Sequence, residues 1–95
     1  MGPIVNIAGY KFVSLTDLVT LRQRLQQQCA NLGIRGTILL SEEGINIMLA
    51  GSKNAITTFM TVLTHEKKFA DIVFKESYSE KIPFQRLQVK IKKEI

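Results

Sequence analysis

The stretch GTILLSEEGINIMLA, residues 36–50, places two acidic residues and a glycine between two apolar runs. IRGTILL (34–40) and INIMLA (45–50) have strand composition, and Ile45, Ile47 and Leu49 fall on one face. The intervening SEEG has the length and the glycine of a four-residue hairpin loop. A working carboxylate pair needs surroundings that drive its two pKa values apart. Glu42 and Glu43, adjacent on a solvated tip, share one environment and read as a corner. Gly44 supplies the positive φ that such loops use. Asn46 belongs to a residue type depleted in strands, so it either braces the hairpin or faces a partner.

Working outward, IVNIAGYKFV (4–13) is apolar on both alternating sets, the mark of a central strand. Ser14 and Asp17 make a capping-box-like start to a helix whose Leu18, Leu21, Leu25, Cys29 and Leu32 share one face, and Gly33 stops it. Ser52 caps a second helix, with Ile56, Phe59, Met60 and Leu63 at i, i+3, i+4, i+7. THEKKFAD then reads as a polar connection, IVFKES (72–77) as a strand, YSEKIP as a loop and FQRLQVKIK (84–92) as a last strand. The order β-α-β-β-α-β with an extra strand near the end predicts an α+β, ferredoxin-like fold: an antiparallel sheet with both helices on one face. Right-handed crossovers centre the first and third strands. The last strand is expected beside the first, with 72–77 as an additional edge.

Ninety-five residues, 45% of them hydrophobic and 22% charged, suit a single domain over 1–95. No apolar run approaches the ~20 residues that span a bilayer, so no membrane partner is expected. Cys29 is the only cysteine, which excludes an internal disulfide and a cysteine-rich metal site and suits a reducing cytoplasm. It lies on the apolar stripe of the first helix and is expected to pack there. His65, the single histidine, suits the end of the second helix and has no metal-binding spacing around it. No catalytic constellation is visible.

The net charge of +5 is uneven: residues 1–47 hold four basic and three acidic side chains, residues 48–95 nine and five. In the last strand Leu87, Val89 and Ile91 alternate with Arg86, Gln88, Lys90 and Lys92, apolar against basic. Lys11, between Tyr10 and Phe12, is expected to join the basic set from the neighbouring strand. Two readings stand: a solvated strand guarded by lysines, or a surface for a nucleic-acid backbone. The exposed aromatic pair of an RNA-recognition-motif sheet is not expected, so contact without base reading is the form the second would take.

GTILLSEEGIN followed by KESYSEKIPFQRLQVKIKKEI resembles the N-terminal domain of the rhodanese-like tRNA uridine hydroxylase family, formerly grouped as rhodanese-related sulfurtransferases. Glu43-Gly44-Ile45-Asn46 matches the family's hairpin motif. Pro83-Phe84, Arg86-Leu87, Val89-Lys90 and Lys92-Lys93-Glu94-Ile95 match the stretch leading into its next domain. Ser41 stands where the family often has alanine, and Ile47-Met48 where it has Gly-Thr. The resemblance implies an acylphosphatase-like domain of a longer protein. In the family a rhodanese domain with the essential cysteine follows, and the whole protein hydroxylates the wobble uridine, tRNA position 34, using molecular oxygen. It implies no catalytic residue, metal or cofactor in this domain. Acylphosphatase chemistry is not expected, because YKFVSLTD lacks that enzyme's glycine-rich loop and arginine. The expected role is a non-catalytic tRNA-holding domain working through Lys11, Arg86, Lys90 and Lys92. The alternatives are a structural domain packed on the rhodanese domain without RNA contact, or an independent small enzyme.

Overall fold

The computed structural model of the chain describes residues 2–93. Their elements are β1 (Ile4–Phe12), α1 (Leu18–Asn31), β2 (Arg35–Ser41), β3 (Gly44–Ser52), α2 (Lys53–His65), a 3-10 turn (Lys67–Phe69), β4 (Lys75–Ser79) and β5 (Leu87–Ile91). The strands form one sheet in the order β4-β1-β3-β2-β5. Glu94 and Ile95, the end of the family-like KKEI, lie outside the described residues.

The central hairpin is tighter than its sequence suggests. Ser41 pairs with Gly44, leaving Glu42 and Glu43 as a two-residue turn. The buried Ser41 Oγ accepts the Glu43 N–H at 2.9 Å, a brace that alanine cannot provide. β1 pairs antiparallel with β3 from Ile4↔Ser52 to Phe12↔Gly44. Residues paired across a ladder share a face. Val5, Ile7, Ile38, Leu40, Ile45, Ile47 and Leu49 therefore point together, and they are buried with Leu21, Leu25 and Cys29 of α1 and Ile56, Phe59 and Leu63 of α2. Both helices cover that one face, as the fold class requires.

Two local expectations are corrected. α1 starts at Leu18, and its N-cap is Asp17, at φ 50 with no side-chain cap, not Ser14. The cause is Leu15: its side chain is buried and its N–H donates to the Glu42 carbonyl at 3.1 Å, so 14–16 stays pinned to the hairpin. THEKKFAD is not merely a polar connection either. The 3-10 turn carries Phe69 into the core, where it is fully buried, and Ile72 and Phe74 pack behind it.

The outer strands also exchange roles. β4 lies beside β1, and β5 lies at the other edge, parallel to β2 with Ile38 opposite Val89. The sheet is therefore antiparallel only up to β2. The reach of the connection permits this. Crossing from β4 to β5 takes four strand spacings, about 19 Å, and the linker Glu80–Arg86 extends to about 25 Å. Leu87 and Val89 then close the core against α1, whose Arg22 Nε donates to the outward Val89 carbonyl at 2.7 Å and covers that edge. β4 starts at Lys75, later than the expected 72, because Ile72 is committed to the core.

Candidate nucleic-acid interface

The register assigns a second set of side chains to the sheet face away from the helices: Asn6, Ala8, Tyr10 and Phe12 of β1, and Asn46, Met48 and Ala50 of β3. Arg35, Thr37 and Leu39 of β2, Lys75 and Ser77 of β4, and Gln88 and Lys90 of β5 complete it. One row runs Lys90–Leu39–Asn46–Tyr10 across four strands, and the next Gln88–Thr37–Met48–Ala8–Lys75 across all five. No acidic residue is among the strand residues on this face. Arg35, Lys75 and Lys90 are basic, and among the described residues none of the three is in an ion pair.

One half of the face is covered. Pro83 and Phe84 border a recess with Asn6, Ala8, Met48, Lys75 and Ser77, so the 80–86 connection crosses as a strap over the end where β1 begins. Beneath it Ala50 is fully buried, and Asn6 Nδ2 donates to Ser79 Oγ at 3.1 Å. The other half is bare. Tyr10 and Phe12 are 66% and 68% exposed and meet edge-to-face with ring centroids 5.8 Å apart, beside Met48 at 53%. An exposed aromatic pair, not expected from the sequence, is therefore present. β1 reads as apolar on both sets, which conceals it. The available signal was parity: Val5 and Ile7 share one face, while Tyr10 and Phe12 fall with the polar Asn6 on the other.

Of the residues expected to hold RNA, the structure brings three together. Lys90 stands on the open face, with Arg86 and Lys92 exposed just before and after β5, where their spacing continues its alternation. The Gly36 N–H bonds the Arg86 carbonyl at 3.1 Å, and the Lys92 N–H bonds the Leu40 carbonyl at 2.7 Å, so both backbones are fixed. Lys11 does not join them. It shares the helix-side parity of Val5 and Ile7 and forms an ion pair with Asp71. Its hydrogen bond holds the Asp71 carboxyl below the ordinary range. Asn46 faces outward beside Tyr10, and among the described residues its side chain makes no hydrogen bond.

The hairpin tip is occupied structurally. Val13 and Leu15 donate their N–H groups to the carbonyls of Glu43 and Glu42, so the turn after β1 does not offer those amides to an anion. Gly44 is required by contact: a Cβ there would lie 2.1 Å from the Lys11 carbonyl oxygen. Cys29 is fully buried, and burial pushes its thiol up to about 12. His65 closes α2 from an exposed position. Among the described residues no cluster of three His, Cys, Asp or Glu side chains could hold a metal ion, and no helix is long and apolar enough to cross a membrane.

These features define a ferredoxin-like α+β domain with a fifth strand and a basic, partly aromatic open face. Residues 4–95 match the UPF0176 acylphosphatase-like domain, and the chain belongs to that family. It is 54% identical over 92 residues to the tRNA uridine(34) hydroxylase of Cupriavidus taiwanensis, covering 97% of this chain and 33% of that protein. The protein of the same name from Bordetella avium is 53% identical, with 38% of its length covered. The chain thus spans little more than a third of these relatives. Among solved structures, Bacillus subtilis acylphosphatase shares the fold at a TM-score of 0.67 and 18% identity, over 90% of this chain and 97% of that one. A Klebsiella pneumoniae BlrP1 complex superposes at 0.74 and 20% identity, over 95% of this chain and 24% of that one.

Proposed function

We propose that this chain is the N-terminal, non-catalytic domain of a cytoplasmic tRNA-modifying enzyme, and that it helps to hold tRNA for oxygen-dependent 5-hydroxylation of uridine 34. In this reading a rhodanese domain of the same chain follows and carries the chemistry. The observation that supports it is the outer strand. Arg86, Lys90 and Lys92 line up along β5, with no acidic strand residue on the open face they border. Relatives that share half of this sequence bear the name of a tRNA uridine(34) hydroxylase. Cations spaced along one strand suit a phosphate backbone and fix its position without reading sequence.

The test is an NMR titration of the domain with tRNA at two salt concentrations. Engagement of three phosphates weakens binding roughly 20- to 40-fold for a fourfold rise in salt. Amide shifts should cluster on Arg86, Lys90 and Lys92. No shift at near-millimolar tRNA would refute the reading. It would favour a domain that packs on its neighbour, for which exposed Tyr10, Phe12 and Met48 supply apolar surface.

A further inference from the structure

We infer that the bare half of the open sheet face is a binding site for unpaired nucleotides of RNA, with Tyr10 and Phe12 as the stacking platform for the bases. The inference rests on the tRNA-holding reading and adds the part of the RNA concerned and the residues that take it. Two large aromatics at i and i+2 of a central strand, each about two-thirds exposed, leave apolar ring area in water. A duplex buries its base faces in its own stack, whereas an unpaired base has a free π-face to set on such rings.

Charge distinguishes this occupant from a protein. Lys75, at the border of the strap, and Lys90 stand at opposite edges of the face, and no strand residue there is acidic. An aromatic centre with cations on both sides matches a strand whose bases stack inward while its phosphates track the rim. Tyr10 and Lys90 share a row at three strand spacings, about 14 Å, room for a short run of nucleotides. Asn46, between them, offers a carboxamide donor and acceptor to a base edge. The strap closes the other half, so the site is confined to the end of the sheet carrying Phe12 and Lys92.

The experiment measures fluorescence anisotropy of labelled tRNA, of a single-stranded uridine-rich octamer and of an RNA hairpin with the same number of phosphates as the octamer, across a salt series. The proteins are this chain, Tyr10→Ala/Phe12→Ala, Tyr10→Leu/Phe12→Leu and Lys90→Gln, with folding confirmed by amide spectra. The single strand should bind more tightly than the hairpin. Losing both rings should weaken it by roughly 25-fold or more, taking about 5-fold as the least each stacked ring supplies. The salt slope should not change, because no charge is lost. The leucine pair should fall with the alanine pair, since it keeps apolar area but no π-face. Lys90→Gln should instead reduce the slope by about 0.7. Salt-dependent binding of tRNA with undiminished affinity in both aromatic variants would overturn this inference and leave the tRNA-holding reading in place. The same holds if those variants lose only their association with the rest of a full-length relative, which would make the face a protein contact. Absence of salt-dependent binding to either RNA and to tRNA would overturn both.

Discussion

Replacing Gly33 with alanine isolates the cost of one backbone conformation. Gly33 sits at φ 71 just past α1, where its N–H bonds the Ala30 carbonyl at 3.1 Å and the Ile34 N–H bonds the Cys29 carbonyl at 2.9 Å. This is the double closure of a Schellman motif, which releases the chain from the helix directly into β2. A Cβ at Gly33 meets nothing within 4 Å, so contact adds no penalty. The left-handed conformation costs an L-residue about 1–2 kcal/mol. Alanine returns about 0.4–1 kcal/mol by restricting the unfolded chain. The net loss is therefore about 1 kcal/mol, which lowers the melting temperature of a domain this size by about 4–8 °C. Urea melts should show the midpoint falling by roughly 0.3–1 M at unchanged slope. Gly33→Asn should recover part of the loss, because asparagine tolerates this region. An unchanged midpoint would show that the turn relaxes to another conformation at no cost. A loss above about 3 kcal/mol would exceed what the left-handed conformation costs and mean that packing, not conformation, holds Gly33.

Phe69→Ala should cost about 3–5 kcal/mol in a urea melt, a large share of a typical domain's stability, because the ring is fully buried; a loss under 1 kcal/mol would remove it from the core. Burial raises the Cys29 thiol from 9.0 to about 12, so the folded state keeps a proton that the unfolded chain releases. That contribution to stability is whole below pH 9 and declines as pH rises toward 12, by up to about 1.4 kcal/mol per unit. Cys29→Ala should flatten the alkaline decline of stability measured by urea melts across this range, and parallel curves for the two proteins would contradict the assignment.

The elements whose neighbours in sequence are also their neighbours in space were legible. The hairpin 36–50, the stripe Leu21–Leu25–Cys29, the stop at Gly33 and the cap at Ser52, whose Oγ accepts the Ala55 N–H at 3.1 Å, all follow from local pattern. What failed depended on distant partners. β5 carries the same alternation whether it pairs with β1 or β2, and only the closure of Leu87 and Val89 on α1 decides between them. Ser14 has the chemistry of a cap, but the bond from Leu15 to Glu42 across the hairpin overrides it. Phe69 lies among charged residues that conceal a single buried anchor. At the site, the parity of its own strand places Lys90, whereas the side of Lys11 follows only from the parity it shares with Val5 and Ile7.

The same tertiary contacts give the hairpin residues Glu42 to Asn46 a structural part beside the aromatic pair. Glu42 and Glu43 act through their carbonyls, which hold Val13 and Leu15 and so fix the end of β1 that displays Tyr10 and Phe12. Gly44 is the register partner of both Phe12 and Ser41. A Cβ there would lie 2.1 Å from the Lys11 carbonyl oxygen and 3.1 Å from the Phe12 Cα, so only glycine fits beside Phe12 at this point of the ladder. Asn46 is the next residue on that face and stands directly beside Tyr10. Gly44 and Asn46 therefore border the aromatic pair, and the carbonyls of Glu42 and Glu43 anchor the strand that bears it. Glu42→Gln and Glu43→Gln leave every one of those carbonyl bonds in place, whereas a residue with a Cβ at 44 disturbs the platform from below.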